Sequence, residues 1–394
     1  MPLNPDPYPL NPKREVAGLF LKLGFIAFGG PAAHIALMRQ EVVQRRKWLS
    51  EQEFLDLLGA SNLIPGPTST ELAIYLGYTR AGPLGLLLAG GLFILPAMLL
   101  VLAFAWAYVQ YGSTLQAAWL LYGIKPVIIA VIAQAIYGLL RTAVKSWQLG
   151  LAVAAAIALY LLGLNPLIPL FGLGLLVMLV ENRRRLSSLT SITPKTGLPM
   201  LLLPLSFTAA PAAGAVAGFS LVALFLTFLK IGATLYGSGY VLLAFLRDDF
   251  VHRLGWLTDR QIIDAVAVGQ FTPGPVFTTA TFIGYITGGW VAAVVATVAI
   301  FLPGFVFVAI VYPLVPKLRA SPWTSAFLNG ANAAAIGLMA AVAGQLGQSS
   351  IVDALTAVLA IAAAILLIRF RLNSAWLVLG GGAAGLAAHV LNLV

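Results

Sequence analysis

The chain is written twice. Phe20-Leu21-Lys22 returns as Phe228-Leu229-Lys230, and Gly24, Gly29, Trp48-Leu49 and Asp56 return as Gly232, Gly237, Trp256-Leu257 and Asp264, all at one offset of 208 (230 − 22). Pro65-Gly66-Pro67 lands on Pro273-Gly274-Pro275 at the same offset, and after a one-residue deletion Pro96 and Gly123 land on Pro303 and Gly330. Such a chain must fold as two copies of one unit. What remains is the solvent for which that unit is made.

That solvent is lipid. Charged residues make up 9% of the chain, hydrophobic residues 60%, and mean hydropathy is +0.95, whereas soluble domains carry about 25% charge. A chain of 394 residues, at about 20 per spanning helix, has room for roughly ten to twelve spans and their connections. The net charge of +10 is that of loops facing the cytoplasm and anionic lipid, not of a nucleic-acid binder. Cysteine is absent, and His34, His252 and His389 lack ligand spacing, so no metal or cofactor is expected. Met1 to Pro12 has neither the basic n-region nor the cleavage site of a signal peptide, and the first helix is expected to serve as an uncleaved targeting signal.

The expected organisation is a polar segment over 1–14, a first transmembrane repeat over 15–181, a basic Pro/Ser/Thr linker over 182–211 and a second repeat over 212–394. Helices are predicted at Val16 to Met38, Pro83 to Tyr108, Thr114 to Leu140, Trp147 to Leu162 and Pro166 to Val180. The stretch from Glu51 to Thr79 opens with Ser50 and Glu53 in capping-box spacing and breaks at Pro65-Gly66-Pro67; Thr258 and Gln261 repeat the box. Neither arm can cross a core of about 30 Å at 1.5 Å per residue, so the piece is a broken span or a re-entrant hairpin.

Re-entrance gathers Arg39, Arg45, Arg46, Lys47, Arg80, Arg141, Lys145, Arg183, Arg184, Arg185, Lys195, Lys317, Arg319, Arg369 and Arg371 on one face and leaves Lys13, Arg14, Arg247, Arg253 and Arg260 on the other, whereas two full spans would divide them almost evenly. The positive-inside rule favours that asymmetry. The predicted fold class is therefore an all-α polytopic membrane protein with two inverted-topology repeats. Each has about five transmembrane helices plus a re-entrant or broken helical hairpin at Pro-Gly-Pro, and both termini lie outside. The expected location is the cell inner membrane, multi-pass, and a homodimer is compatible with it.

Three lysines, Lys22, Lys125 and Lys230, lie well inside apolar segments, where each costs about 2.5–3.5 kcal/mol on insertion scales. Such placement calls for a buried anion, a carboxylate partner or a water-filled cavity, or else for snorkelling to a face. Lys22 and Lys230 precede Gly29-Gly30-Pro31 and Gly237-Ser238-Gly239. Glycine clusters of this kind either free backbone groups for a binding site or let helices pack closely.

After each Pro-Gly-Pro a helix starts on small hydroxyl residues, Thr68-Ser69-Thr70 in one copy and Thr278-Thr279 in the other. Each helix N-terminus acts as roughly +0.5 charge, so two of them with two lysines supply about +3, which suits a dianion. The alternative is that Pro-Gly-Pro only kinks a helix. The candidate anion site thus comprises Lys22, Lys230, Gly29, Gly30, Gly237, Ser238, Gly239, Pro65, Gly66, Pro67, Thr68, Ser69, Thr70, Pro273, Gly274, Pro275, Thr278 and Thr279, with Lys125 as a further candidate. Glu71 has no acidic counterpart between Val276 and Tyr285. It is a candidate for proton coupling or a structural partner of Lys22 or Lys125. Gly237-Ser238-Gly239 has a superficial likeness to a nucleophile motif, but no base is suitably placed, and an enzyme is not expected.

Phe28-Gly29-Gly30-Pro31, Ala33-His34, Trp48-Leu49 and Pro65-Gly66-Pro67, reprised in the second half, together resemble the chromate ion transporter family in its two-repeat form. The resemblance runs from about residue 15 to 390. It implies transmembrane transport of chromate, with export and chromate resistance as the associated role and sulfate as a related or competing oxyanion. A channel or a carrier for another small anion is the alternative. The second copy has Ser238-Gly239 in place of Gly30-Pro31 and Thr272 in place of Ile64, so the halves are expected to contribute unequally to one site.

Overall fold

A computed structural model describes residues 11–28, 30–112, 114–183, 218–236, 241–311, 321–370, 372 and 374–391. Helix α1, Pro12–Ile26, starts on the Asn11 side chain and a proline at its first turn, and ends at Ala27. Helix α2, Gly30–Arg39, runs on into a π-helical turn, Gln40–Arg45. Lys22 Nζ meets Glu41 Oε1 at 2.8 Å. On one straight helix those residues would stand roughly 28 Å apart at 1.5 Å per residue, so the chain folds back between Ala27 and Gly30. The single helix predicted over Val16 to Met38 is corrected to a helical hairpin. Gly30 has φ 79° and Pro31 lacks an N–H, which together stop the α-helix and reverse the chain.

A second hairpin follows. Helix α3, Glu51–Ser61, carries the complete Ser50/Glu53 capping box, and α4, Thr68–Tyr111, is interrupted at Ala81 and Gly82. Gly82 takes φ 66°, a left-handed conformation that favours glycine, and the chain reverses there. Gly77 lies against Gly85 and Ala89, and Ile74 against Gly90. The first part of α4 thereby returns to the level of α1's start: Arg80 Nη2 is 2.6 Å from Glu15 Oε2, and its guanidinium lies 5.3 Å over the Trp48 ring. The Pro-Gly-Pro arms are therefore re-entrant. Both hairpins enter from one face, marked by Glu15, Trp48 and Arg80.

The rest of α4, from Pro83, is about 40 Å long at 1.5 Å per residue and crosses to the second face. Helix α5, Leu115–Ala143, crosses back, followed by α6, Trp147–Leu161, and α7, Leu167–Glu181. The second repeat copies this order with α8, Leu221–Thr234; α9, Leu242–Leu246, with its π turn Arg247–Arg253; α10, Asp259–Phe271; and α11, Thr279–Val311, preceded by a 3-10 turn Val276–Thr278. Helices α12, Pro322–Ser350, α13, Ala354–Phe370, and α14, Ser374–Val390, complete it. Segments of α4, α5, α11 with its 3-10 turn, and α12 are long and apolar enough to cross a membrane.

The two repeats are inverted. Gly90 of α4 faces Phe305 of α11, whereas Leu102 and Trp106 share a groove with Tyr285 and Trp290; residue numbers rise on one helix as they fall on the other. These helices are repeat equivalents, so their antiparallel packing sets the units in opposite senses. The second repeat's hairpins enter from the second face, where Phe219 packs 5.4 Å from Trp256. At the rim, α5 and α14 cross with Gly123 of one against Gly381 and Gly385 of the other, the close backbone approach that small residues permit in lipid. Trp147, Trp290 and Trp376 are 73%, 69% and 73% exposed at helix starts, where aromatic side chains sit at a membrane interface.

Lys13 and Arg14 share the first face with Arg45, Arg46, Lys47 and Arg80, not the opposite face as expected, because α1 is a hairpin arm and not a span. The same change of parity corrects the expectation that both termini lie on one face. His389, near the end of α14, stacks on Trp119 at 4.4 Å, beside the start of α5 at the second face. The predicted linker lies outside the described residues apart from Asn182 and Arg183.

Candidate functional site

The two repeats meet through a pair of symmetry-related backbone bonds. The Gly66 N–H donates to the Leu235 carbonyl at 2.7 Å, and the Gly274 N–H donates to the Ala27 carbonyl at 2.8 Å. Ala27 and Leu235 cap α1 and α8, whose last carbonyls lack intrahelical donors. Each Pro-Gly-Pro turn therefore caps a broken helix of the other repeat. Gly66 takes φ 138°, and a Cβ there would run into the Glu71 carboxyl, so this turn admits only glycine without rearrangement.

Polar groups converge on the junction from both sides. His34 Nε2 lies 3.0 Å from the Ala27 carbonyl and Nδ1 lies 3.1 Å from Ser69 Oγ. With Nε2–H donating to the carbonyl, Nδ1 accepts from the Ser69 hydroxyl. One imidazole thus ties the α1 break to the start of α4. Glu71, 0% exposed, has no hydrogen-bond partner for either oxygen among the described residues, nor does the buried Thr70 hydroxyl one residue before it. In the other repeat the Gln270 amide nitrogen, close before Pro273, is likewise buried and unpartnered. Thr278 and Thr279 instead donate back to the Pro275 and Val276 carbonyls, at 2.8 and 2.7 Å.

His34 and Gln270 are absent from the sequence-derived site. A polar residue next to a glycine break or a Pro-Gly-Pro turn, inside an otherwise apolar stretch, is the signal that points to both. Of the predicted residues, Gly66, Gly274, Ser69, Thr70 and Glu71 come together at the junction. Gly29, Gly237, Ser238 and Gly239 lie outside the described residues.

The lysines stand apart from it. Lys22 pairs with Glu41, which also takes Arg45 at 2.9 Å and Arg46 at 3.5 Å. Lys230 pairs with Asp249 at 2.5 Å, which takes Arg253 at 2.8 Å. Glu41 and Asp249 obey the same offset of 208 (249 − 41), so each repeat carries one copy of the cluster. Each lysine lies five residues from its capped carbonyl, about 7–8 Å along the helix, Lys22 toward the first face and Lys230 toward the second. Lys125 lies 3.5 Å from Asp264. Both Lys22 and Lys125 therefore take a carboxylate other than Glu71.

The profile of the chromate transporter family matches residues 14–178 and 222–386, one repeat each. A probable chromate transport protein of Synechococcus elongatus is 36% identical over 88% of this chain and 87% of its own. A chromate transport protein of Cupriavidus metallidurans is 34% identical over 96% and 94%. The uncharacterized transporter YwrB of Bacillus subtilis is 31% identical over 40% of this chain and 81% of its own, so one repeat alone has the length of a relative. No solved structure matches. Two profile matches that fall on the two inverted units, and full-length relatives at this identity, establish that the chain belongs to the chromate transporter family.

Proposed function

We propose that this protein carries chromate, with sulfate as a related or competing dianion, outward across the cell inner membrane by alternating access. The observation that supports this most is the group of buried, unpartnered polar atoms beside the two Pro-Gly-Pro turns: Thr70, Glu71 and Gln270. An unpaired buried polar group is costly, and a bound oxyanion accepting from hydroxyl, amide and helix N-terminal donors would offset that cost. The oxyanion sits between the repeats, at the Gly66 and Gly274 turns. Lys22 and Lys230 draw it in from opposite faces, and Glu71, protonated, donates to it and couples transport to proton movement. The concentration of basic residues on the first face makes that face cytoplasmic.

The test is growth and chromate content of a chromate-sensitive bacterial host expressing the protein. Resistance with lowered intracellular chromate is the expected result. Raised intracellular chromate reverses the direction of transport, and unchanged content removes chromate as the cargo.

A further inference from the structure

A second polar cluster bridges the repeats away from the central junction. Asp264 on α10 is fully buried; one oxygen accepts from the Tyr108 hydroxyl of α4 at 2.9 Å. The other makes no hydrogen bond among the described residues and lies 3.5 Å from Lys125 Nζ of α5, a side chain 13% exposed. Arg260, exposed at the second face one turn back on α10, adds its field to all three groups.

The cluster breaks the duplication. Asp264 corresponds to Asp56, which takes Gln52 as a partner within its own helix, and Lys125 corresponds to Asn332. Arg39–Glu51, its repeat equivalent Arg247–Asp259, and Glu15–Arg80 each close within one repeat at 2.6–2.7 Å. The Lys125–Asp264 pair differs from these: it spans the repeats and is loosely made, at 3.5 Å.

A hydroxyl, an ammonium and a nearby guanidinium around one carboxylate form the donor set of an oxyanion site. We infer that Lys125 and Tyr108 bind the transported dianion on its way to or from the junction, and that Asp264 is a tethered competitor filling the site when no anion is present. The inference rests on the oxyanion reading above. When the dianion enters, the Asp264 carboxylate leaves Lys125 and pairs with Arg260, four residues back on the same helix face, where opposite charges meet. Arg260 at the mouth and Lys125 inside thus exchange partners, and the dianion meets a vacated cation without a second negative charge beside it.

The test is equilibrium binding of radiolabelled sulfate to the purified full-length protein in detergent, with monodispersity checked by size exclusion. Asp264→Asn, which removes the competitor and keeps the shape, is expected to tighten sulfate binding roughly tenfold or more, since like charges held together are strongly disfavoured. Lys125→Met in the Asp264→Asn background is expected to bind sulfate clearly more weakly than the wild type, since it lacks the cation that holds the dianion, and Arg260→Ala alone to weaken binding by stranding Asp264 on Lys125. A scaffold pair predicts the opposite for Asp264→Asn, equal or weaker binding, and that result overturns the inference. If Asp264→Asn does not fold, the double variant, which removes both charges together, replaces it, and wild-type affinity there overturns the inference equally. Wild-type protein that binds neither sulfate nor chromate removes the oxyanion reading itself; wild-type binding with unresponsive variants removes only this site.

Discussion

The N–H of Gly66 donates to the carbonyl of Leu235 at 2.7 Å, so a turn of the first repeat closes a broken helix of the second. The bond is matched by Gly274 on Ala27, and the four residues define the pseudo-twofold axis. Gly66→Ala is expected to cost about 1–3 kcal/mol, from a strained φ and from collision with Glu71. Gly66→Ala combined with Glu71→Ala is expected to recover the steric part and not the backbone part. Thermal unfolding of the purified variants reads the difference.

The two lysine clusters differ in burial. Lys230 and Arg253 are 19% and 30% exposed around a nearly inaccessible Asp249, whereas Lys22 and Arg45 are 47% and 57% exposed. Removing one partner of a buried pair costs about 3–5 kcal/mol, so Asp249→Asn is expected to approach that range. Glu41→Gln, whose partners keep much of their hydration, is expected to cost distinctly less. Equal losses in melting temperature would contradict the assignment.

Because the natural chain has no cysteine, single cysteines report the inversion cleanly. Cysteine at Arg80 or Lys145 is expected to react with a membrane-impermeant maleimide from one side of sealed vesicles, and cysteine at His252 or Arg260 from the other. Labelling of all four from one side is incompatible with inverted repeats.

Asp353, in the loop between α12 and α13, is held below the usual carboxylate range first by the Thr356 backbone N–H and then by the Tyr122 hydroxyl. A depressed folded value means the stabilisation is present above about pH 4 and is lost as pH falls through the folded value. Asp353→Ala is expected to cost about 1 kcal/mol at neutral pH, as loss of a helix cap does. The gap from wild type closes on acidification below pH 4, and a gap that widens there contradicts the assignment.

Much of this fold is legible in the sequence because its signals are short-range. Both capping boxes form as read, with Ser50 to Glu53 and Thr258 to Gln261 closed, and arms too short to span do turn back at Pro-Gly-Pro. The reversal at Gly30 was hidden because the stretch from Val16 to Met38 is apolar apart from Lys22 and His34, and hydropathy does not distinguish one span from two half-length arms. With that reversal went the carboxylates: Glu41 falls beyond the helix end predicted at Met38, with Asp249 at the equivalent position, yet folding back carries each to its lysine. Tyr108 and Asp264 are 156 positions apart, a separation over which no local pattern speaks. Glu71 was legible as an acid without a repeat partner; that Lys22 and Lys125 take other carboxylates was not.

Uptake of radiolabelled sulfate and chromate into proteoliposomes of the purified protein, with and without an imposed pH gradient, tests the central claim most directly. The account predicts saturable uptake of both ions, mutual competition, and a response to the gradient that Glu71→Gln abolishes. Uptake that rises without saturation, or no uptake of either ion under either gradient polarity, contradicts an oxyanion carrier built on the junction of the two repeats.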